Sequence, residues 1–102
     1  MDKKELHKLE DEHNRKLRDL ERLEIDLDNY CQRFNRETSN LLDTLTYACR
    51  DCSFAEIQPY IYEIENNLDS YHQEYKNHIE DVLEARYREN KNYYKQVEER
   101  KV

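Results

Sequence analysis

The chain of 102 residues contains no glycine, no tryptophan and only one proline. Glycine is the residue that adopts positive φ without a steric penalty and that lets a backbone approach a phosphate closely. Its absence excludes P-loops and glycine-rich dinucleotide fingerprints. The Asn-Gly and Asp-Gly turns that support most all-β folds are absent as well. The sequence therefore favours helices over sheets.

The chain also lacks an excess of basic residues and any long apolar run. Lys and Arg number 17 against 24 Asp and Glu, a net charge of −7, whereas a nucleic-acid surface needs a basic stripe. No apolar run approaches the roughly 20 residues of a membrane span, and the N-terminus has no apolar signal-peptide region. Three cysteines without an export signal indicate reduced thiols. We expect a cytoplasmic protein without a membrane span, or one exported with its partner by a route independent of a signal peptide.

What the chain does have is apolar residues at helical spacing in both halves. The first stripe contains Leu6, Leu9, His13, Leu17, Leu20, Leu23, Leu27, Tyr30, Phe34, Leu41, Leu45 and Ala48. The second contains Phe54, Ile57, Ile61, Ile64, Leu68, Tyr71, Tyr75, Ile79, Val82, Ala85, Tyr93 and Val97. Steps of three and four residues predict two long, coiled-coil-like helices.

A corner between the stripes predicts that the helices fold back on each other. Ser53 and Glu56 form a capping box, and Pro59 belongs near a helix start or at a kink. We predict a helix over about 3–50, a corner at about 51–53, and a helix over about 54–99 with a kink near Pro59. The expected fold is all-α: a single domain over 1–102, an antiparallel two-helix hairpin that a partner chain completes into a bundle. Residue i should then face a residue near about 105 − i, and the polar interruptions near His13 and Glu89 predict a loosely packed open end.

Cys49 and Cys52 stand at this corner in a C-x-x-C pattern. A redox cysteine is activated at a helix N-terminus, whereas Cys49 lies near a C-terminus, and a zinc site would need two chains to supply four ligands. Glu10 and His13 have the spacing of di-iron ligands, but no second such pair exists. We interpret the cysteines as residues of the corner, and expect no metal, no cofactor and no catalytic residue.

Tyrosine is concentrated after the corner, where seven of the nine tyrosines lie. They either extend a thin apolar face or form a surface for a partner, since tyrosine is enriched at interface hot spots. Two long helices bury only one stripe each against the other, which favours a partner. The predicted partner-binding residues are Tyr60, Ile61, Ile64, Tyr71 and Tyr75 on the second helix and Phe34 and Leu41 on the first.

The segments "SFAEIQPYIYEIENNL" (53–68) and "ENKNYYKQVEER" (89–100), after a charged leucine-rich first helix, resemble small helical-hairpin proteins. These proteins are encoded beside LXG-type toxins of Gram-positive type VII secretion. The resemblance implies a non-enzymatic targeting chaperone that binds the helical N-terminal domain of a toxin, alone or with a second small hairpin protein. The chain departs from relatives with a Trp-X-Gly corner. Tyr94 to Glu98 matches the Y-x-x-x-[DE] export pattern, but so does Tyr47 to Asp51.

Two other functions compete with this hypothesis. One is a homodimeric structural coiled-coil module. The other is a metal or redox protein built on Cys49 and Cys52.

Overall fold

The computed structural model describes residues 2–101 and contains two helices. Helix α1 spans Lys3–Ala48 (46 residues) and helix α2 spans Phe54–Lys101 (48 residues). No strand occurs among the described residues. The all-α, two-helix hairpin predicted from the stripes is confirmed, and the helix ends lie within two residues of the predicted ones.

Both ends of α1 are capped by side chains. The N–H of Lys4 donates to Oδ1 of Asp2 (3.3 Å), so Asp2 is the N-cap, and its negative charge suits a helix N-terminus. At the other end, the guanidinium of Arg50 donates to the carbonyl of Tyr47 (3.1 Å) and lies over the Tyr47 ring, 4.6 Å from its centre. A cation at this position satisfies a carbonyl that has no partner within the helix.

The corner between the helices, residues 49–53, is built without glycine. The N–H of Cys52 donates to the carbonyl of Cys49 (2.9 Å), and the N–H of Glu56 donates to the carbonyl of Ser53 (3.0 Å). No described residue has a positive φ, so the corner needs none of glycine's conformational freedom. Helix α2 begins directly after Ser53, as the capping box predicts. Pro59 lies inside α2, and the kink expected there stays a prediction.

The contacts of the chain group into two compact units, and the single domain expected over 1–102 stays a prediction. Unit 1 comprises Met1–Asp26 and His78–Val102, and unit 2 comprises Leu27–Asn77. Within each unit, a segment of α1 packs antiparallel against a segment of α2.

The predicted register is found in both units. In unit 1, Lys16 reaches Glu89 (3.7 Å), and Leu20 and Ala85 line one groove. In unit 2, the rings of Phe34 and Tyr71 stack on each other.

The inward-facing positions differ from the predicted stripes by one residue at several turns. In unit 1, Leu23 is 47% exposed, whereas Glu24 turns inward and forms an ion pair with Arg86 (2.6 Å). The same shift exposes Ala85 in unit 1 and Tyr30, Leu41 and Ala48 in unit 2, where Cys31, Leu42 and Cys49 are half-buried instead. An α-helix has 3.6 residues per turn, so residues that follow a strict seven-residue repeat rotate around the helix by about 20° per heptad. After several heptads the neighbouring residue faces inward instead.

The apolar core of the described chain is thin. Val82 is the only apolar side chain that is buried, and the other two buried side chains, His13 and Thr38, are polar. Phe54, which the sequence places on the second stripe, is 68% exposed at the first position of α2. Much of the apolar surface predicted to be buried is therefore still accessible.

Candidate protein-binding groove

A groove of about 410 Å³ lies between α1 and α2 in unit 2. It is lined by Phe34, Thr38, Leu41, Ile64, Asn67, Ser70, Tyr71 and Glu74. Four of the seven predicted partner-binding residues are in this set. Hereafter this site is called the unit 2 groove.

Aromatic packing and one small side chain form the floor of the unit 2 groove. The rings of Phe34 and Tyr71 stack with their centres 4.0 Å apart and their planes 16° from parallel. Beside them Thr38, only 9% exposed, occupies the inward position that leucine takes elsewhere on α1. Because threonine is smaller than leucine, the helices leave space at this level. The first stripe has no apolar residue between Phe34 and Leu41, and the groove lies at this gap.

Tyr71 presents a neutral phenol to the groove. Partial burial raises the pKa of Tyr71, and the neighbouring Cys31 and Glu74 raise the pKa further. An un-ionised tyrosine side chain near neutral pH combines a large apolar area with one hydroxyl donor, the combination that interface aromatics use.

Three of the predicted partner-binding residues lie outside this lining. Tyr60 is 60% exposed, and it shares a helical face with Ile64, four residues later, so it extends the same side of α2. Ile61 and Tyr75 are half-buried, and the hydroxyl of Tyr75 donates to Oδ1 of Asp28 on α1. These two residues contribute to packing within unit 2.

Leu41 differs in its position from the predicted one. The sequence places it on the seam opposite Ile64, but its side chain is 53% exposed at the α1 edge of the groove. Leu42, the next residue, faces inward instead. Leu41 is accordingly available to a partner while contributing little to the packing of the hairpin.

Sequence reasoning missed the polar lining residues on α2. Asn67, Ser70 and Glu74 follow one another at steps of three and four residues, beside the apolar Ile64 and Tyr71. That spacing places them on one flank of α2. The signal was present in the sequence, but polar residues at a flank also occur on any solvated helix face, so periodicity alone does not single them out.

Cys49 is half-buried and Cys52 exposed, and both are free thiols. A hydrogen bond with the Cys49 side chain raises the pKa of Cys52, and desolvation and the nearby Glu56 raise the pKa further. A raised pKa is the opposite of what a reactive cysteine requires. Within residues 2–101, no group of three or more His, Cys, Asp or Glu side chains is arranged to hold a metal ion.

Unit 1 contains a polar cluster of a different kind. His13 is buried, and its Nδ1–H donates to Oε1 of Glu89 (3.1 Å). The His13 ring stacks on Tyr93 with centres 4.0 Å apart and planes 5° from parallel. Lys16 approaches the other oxygen of Glu89. The expected loose packing is therefore wrong at this position, because polar and aromatic contacts replace the missing apolar ones.

A second groove, of about 370 Å³, lies in unit 1 between Leu20, Leu23 and Ala85. It contains no aromatic residue and none of the seven predicted partner-binding residues. The unit 2 groove is therefore the better candidate for recognition.

Over the described residues, neither α1 nor α2 has a stretch that is both long and apolar enough to cross a membrane. No protein-family model, no curated protein and no solved structure matches this chain. A functional assignment therefore depends on the residues and geometry of the chain itself.

Proposed function

We propose that this protein is a non-enzymatic protein-binding module whose unit 2 groove receives a helix of another protein. The observation that carries the proposal is the convergence of Phe34, Leu41, Ile64 and Tyr71 on one groove. These four residues come from two helices and were selected from the sequence as partner-binding residues. Helix-in-groove recognition uses apolar and aromatic anchors of this kind.

The thin core gives the reason why binding is favourable. Each Å² of apolar surface removed from water contributes about 25 cal/mol. Leu41 at the edge of the groove and Tyr60 beyond its lining on the same side of α2 are both more than half exposed. A third helix laid along the groove would bury these side chains and extend the two-helix hairpin towards a bundle. The free chain remains compatible with water because 40% of its residues are charged.

The partner that we propose is the helical N-terminal domain of an LXG toxin secreted by a type VII system. The support is the resemblance carried by residues 53–68 and 89–100, together with the position of Ile64, which belongs to the first of these segments, in the lining of the groove. In this role the chain is a targeting chaperone that binds the toxin in the cytoplasm and accompanies it to the secretion machine. A second small hairpin protein joins the same complex or takes the place of the toxin domain.

The test is co-expression of the chain with the helical domains encoded by neighbouring genes. Size-exclusion chromatography with light scattering should show a heterocomplex of defined stoichiometry. A stable homodimer that takes up no helical domain would contradict the proposal and favour the structural coiled-coil module. Stoichiometric metal in freshly purified protein, lost when Cys49 and Cys52 are replaced by serine, would favour the third alternative.

Two substitutions in the groove test where the partner binds. Tyr71→Ala should weaken the complex by about 2 kcal/mol, roughly 30-fold in Kd, because it removes a central aromatic anchor. Leu41→Ser should also weaken binding. It is the more diagnostic change, since the exposed Leu41 side chain contributes little to folding.

Tyr87→Ala is the matched control, because Tyr87 is 65% exposed on α2, belongs to unit 1 and is not among the residues that line the groove. Isothermal titration calorimetry gives the Kd values, and circular dichroism at 222 nm checks that each variant is folded. Equal losses for Tyr87→Ala and Leu41→Ser would show that the partner does not bind in the unit 2 groove.

A further inference from the structure

The segment from residue 51 to residue 75 carries charge of one sign only. It contains six carboxylates (Asp51, Glu56, Glu63, Glu65, Asp69 and Glu74) and no lysine or arginine. Arg50 and Lys76 bound the segment on either side. The ion pairs of the described chain are all formed by other residues, so these six carboxylates have no basic partner within 4 Å.

Two of these carboxylates stand on the groove side of α2. Glu74 lines the unit 2 groove directly. Glu63 precedes Asn67 by four residues and Ser70 by seven, a spacing that places it on the same helical flank as these lining residues. Because Glu63 and Glu74 are eleven residues apart, they stand about 16 Å apart along the helix axis. We call the flank of α2 that contains Glu63, Asn67, Ser70 and Glu74 the α2 rim of the groove, and the two glutamates are its first and last residues.

The α1 side of the groove offers no compensating positive charge. Arg33 lies two turns before Leu41 on the same flank, but its Nε donates to Oε1 of Glu37 (3.2 Å), which also lies on that flank. This exposed pair leaves the α1 rim neutral. The groove thus combines an apolar floor with a rim whose unbalanced charge is negative.

We infer that the occupant of the unit 2 groove is an amphipathic helix with basic residues beside its apolar stripe, two of them about three helical turns apart to meet Glu63 and Glu74. This inference rests on the proposed function and specifies the chemistry of the partner. Leu41 and Tyr71 bury apolar side chains of the occupant. The two carboxylates accept charge-assisted hydrogen bonds from its lysines or arginines.

A second copy of this chain fits the groove less well. A two-fold contact places the same patch of both copies together, so the acidic α2 rim of one would approach the acidic rim of the other. Like charges facing each other without partners lower affinity and select against that pairing. A basic helix meets no such repulsion.

Charge and apolar contact should then act at different stages of binding. The acidic rim attracts a basic helix over distances comparable to the Debye length, about 10 Å at 0.1 M salt, and speeds association. The apolar floor, which salt does not screen, sets the rate of dissociation. The affinity therefore has one part that depends on salt and one that does not.

The probe is a pair of designed helical peptides with the same leucine stripe. One peptide carries lysines and the other glutamates at two positions eleven residues apart beside the stripe. At about 50 mM NaCl the lysine peptide should bind at least tenfold more tightly, and the ratio should approach one at about 500 mM, where screening is strong. Fluorescence anisotropy gives both Kd values.

Glu63→Lys with Glu74→Lys should reverse the preference, so that the glutamate peptide binds more tightly. The matched control is Glu98→Lys with Glu99→Lys, which changes the net charge equally but lies in unit 1. It should keep the preference for the lysine peptide within about twofold, since Glu98 and Glu99 do not line the groove and follow Glu74 by 24 and 25 residues in the sequence.

Each contrary outcome has a separate meaning. Equal binding of the two peptides, lost for both with Leu41→Ser, would overturn the basic-helix inference and leave the groove as a helix-binding site. A preference that survives Glu63→Lys with Glu74→Lys would also overturn the inference. A stable dimer that excludes both peptides would identify a second copy as the occupant, against this inference and the proposed function together.

Discussion

His13 is a polar residue at a position of α1 where the neighbouring inward residues are Leu9 and Leu17. Its ring is buried against Tyr93, and its hydrogen bond to Glu89 provides a partner for a carboxylate whose side chain is only 18% exposed. A buried polar group that loses its hydrogen-bond partner destabilises the fold. The hydrogen bond between His13 and Glu89 therefore contributes more to stability than the surface area that it buries implies. It also favours the pairing of these turns over neighbouring registers, in the way that single polar residues specify coiled coils.

We predict that His13→Ala lowers the free energy of unfolding by about 1–3 kcal/mol, because Glu89 loses a hydrogen bond and Tyr93 loses its stacking partner. Urea denaturation followed at 222 nm measures the change. His7→Ala is the matched control on an exposed position of the same helix, and it should change stability by less than about 0.5 kcal/mol. Equal effects at the two positions would show that the His13 cluster contributes nothing beyond helix propensity.

The corner of residues 49–53 is the element that turns one helix into two. It does so with backbone hydrogen bonds from Cys52 to Cys49 and from Glu56 to Ser53, and with Arg50 closing the end of α1. The two thiols lie close enough for the Cys49 side chain to hydrogen-bond to Cys52, which raises the pKa of Cys52. The two cysteines therefore interact with each other at the corner. Cys52 should react slowly with alkylating reagents although its side chain is exposed.

Because its pKa is raised in the fold, Cys52 holds less thiolate at a given pH than it does in the unfolded chain. We predict that iodoacetamide alkylates Cys52 more slowly in the native protein than in denaturant at about pH 8, below the ordinary cysteine pKa. Peptide mass spectrometry at several times gives the rates. Cys49→Ala should bring the native rate closer to the denatured one, since the first cause of the shift is removed. Faster alkylation of the native protein would instead indicate an activated cysteine.

At the scale of the whole molecule, the negative charge is distributed unevenly. Unit 2, Leu27–Asn77, contains nine acidic and four basic residues, so it carries −5 of the total of −7. Like charges three and four residues apart on a helix destabilise it. Glu65 and Asp69, four residues apart, therefore repel each other in the unbound chain, and residues 51–75 contain no lysine or arginine to offset their six carboxylates. A surface suited to attracting a basic partner is thus maintained at some cost to the stability of the free protein.

We predict that moderate salt stabilises the isolated protein. Raising NaCl from about 20 to about 200 mM should increase the melting temperature by a few degrees, because screening weakens the repulsion along residues 51–75. Thermal scans at 222 nm at two protein concentrations test this and detect any contribution from association. Glu63→Lys with Glu74→Lys should reduce the salt effect. A melting temperature that falls with salt would show that attractive ion pairs dominate instead.

Helix content, the place of the corner and the antiparallel register were predictable from the sequence alone. Apolar spacing, the capping box at Ser53 and Glu56, and the absence of glycine are local properties of the chain, and they act before any long-range contact forms. The pairing of Phe34 with Tyr71 follows from the corner position by counting. Phe34, Leu41, Ile64 and Tyr71 lie on the predicted apolar stripes and line one groove, while their binding of a partner stays a prediction.

Only the tertiary structure decided which residue of each turn faces inward. Glu24 rather than Leu23 joins the seam because the inward direction rotates steadily along an α-helix, and a seven-residue pattern in the sequence does not record that drift. The groove likewise exists because Thr38 is buried opposite α2, and neighbouring helical turns determine that burial together. The sequence shows that His13 is a polar residue within the first apolar stripe. Its partner Glu89 lies 76 residues away in the sequence, and only folding brings the two side chains together.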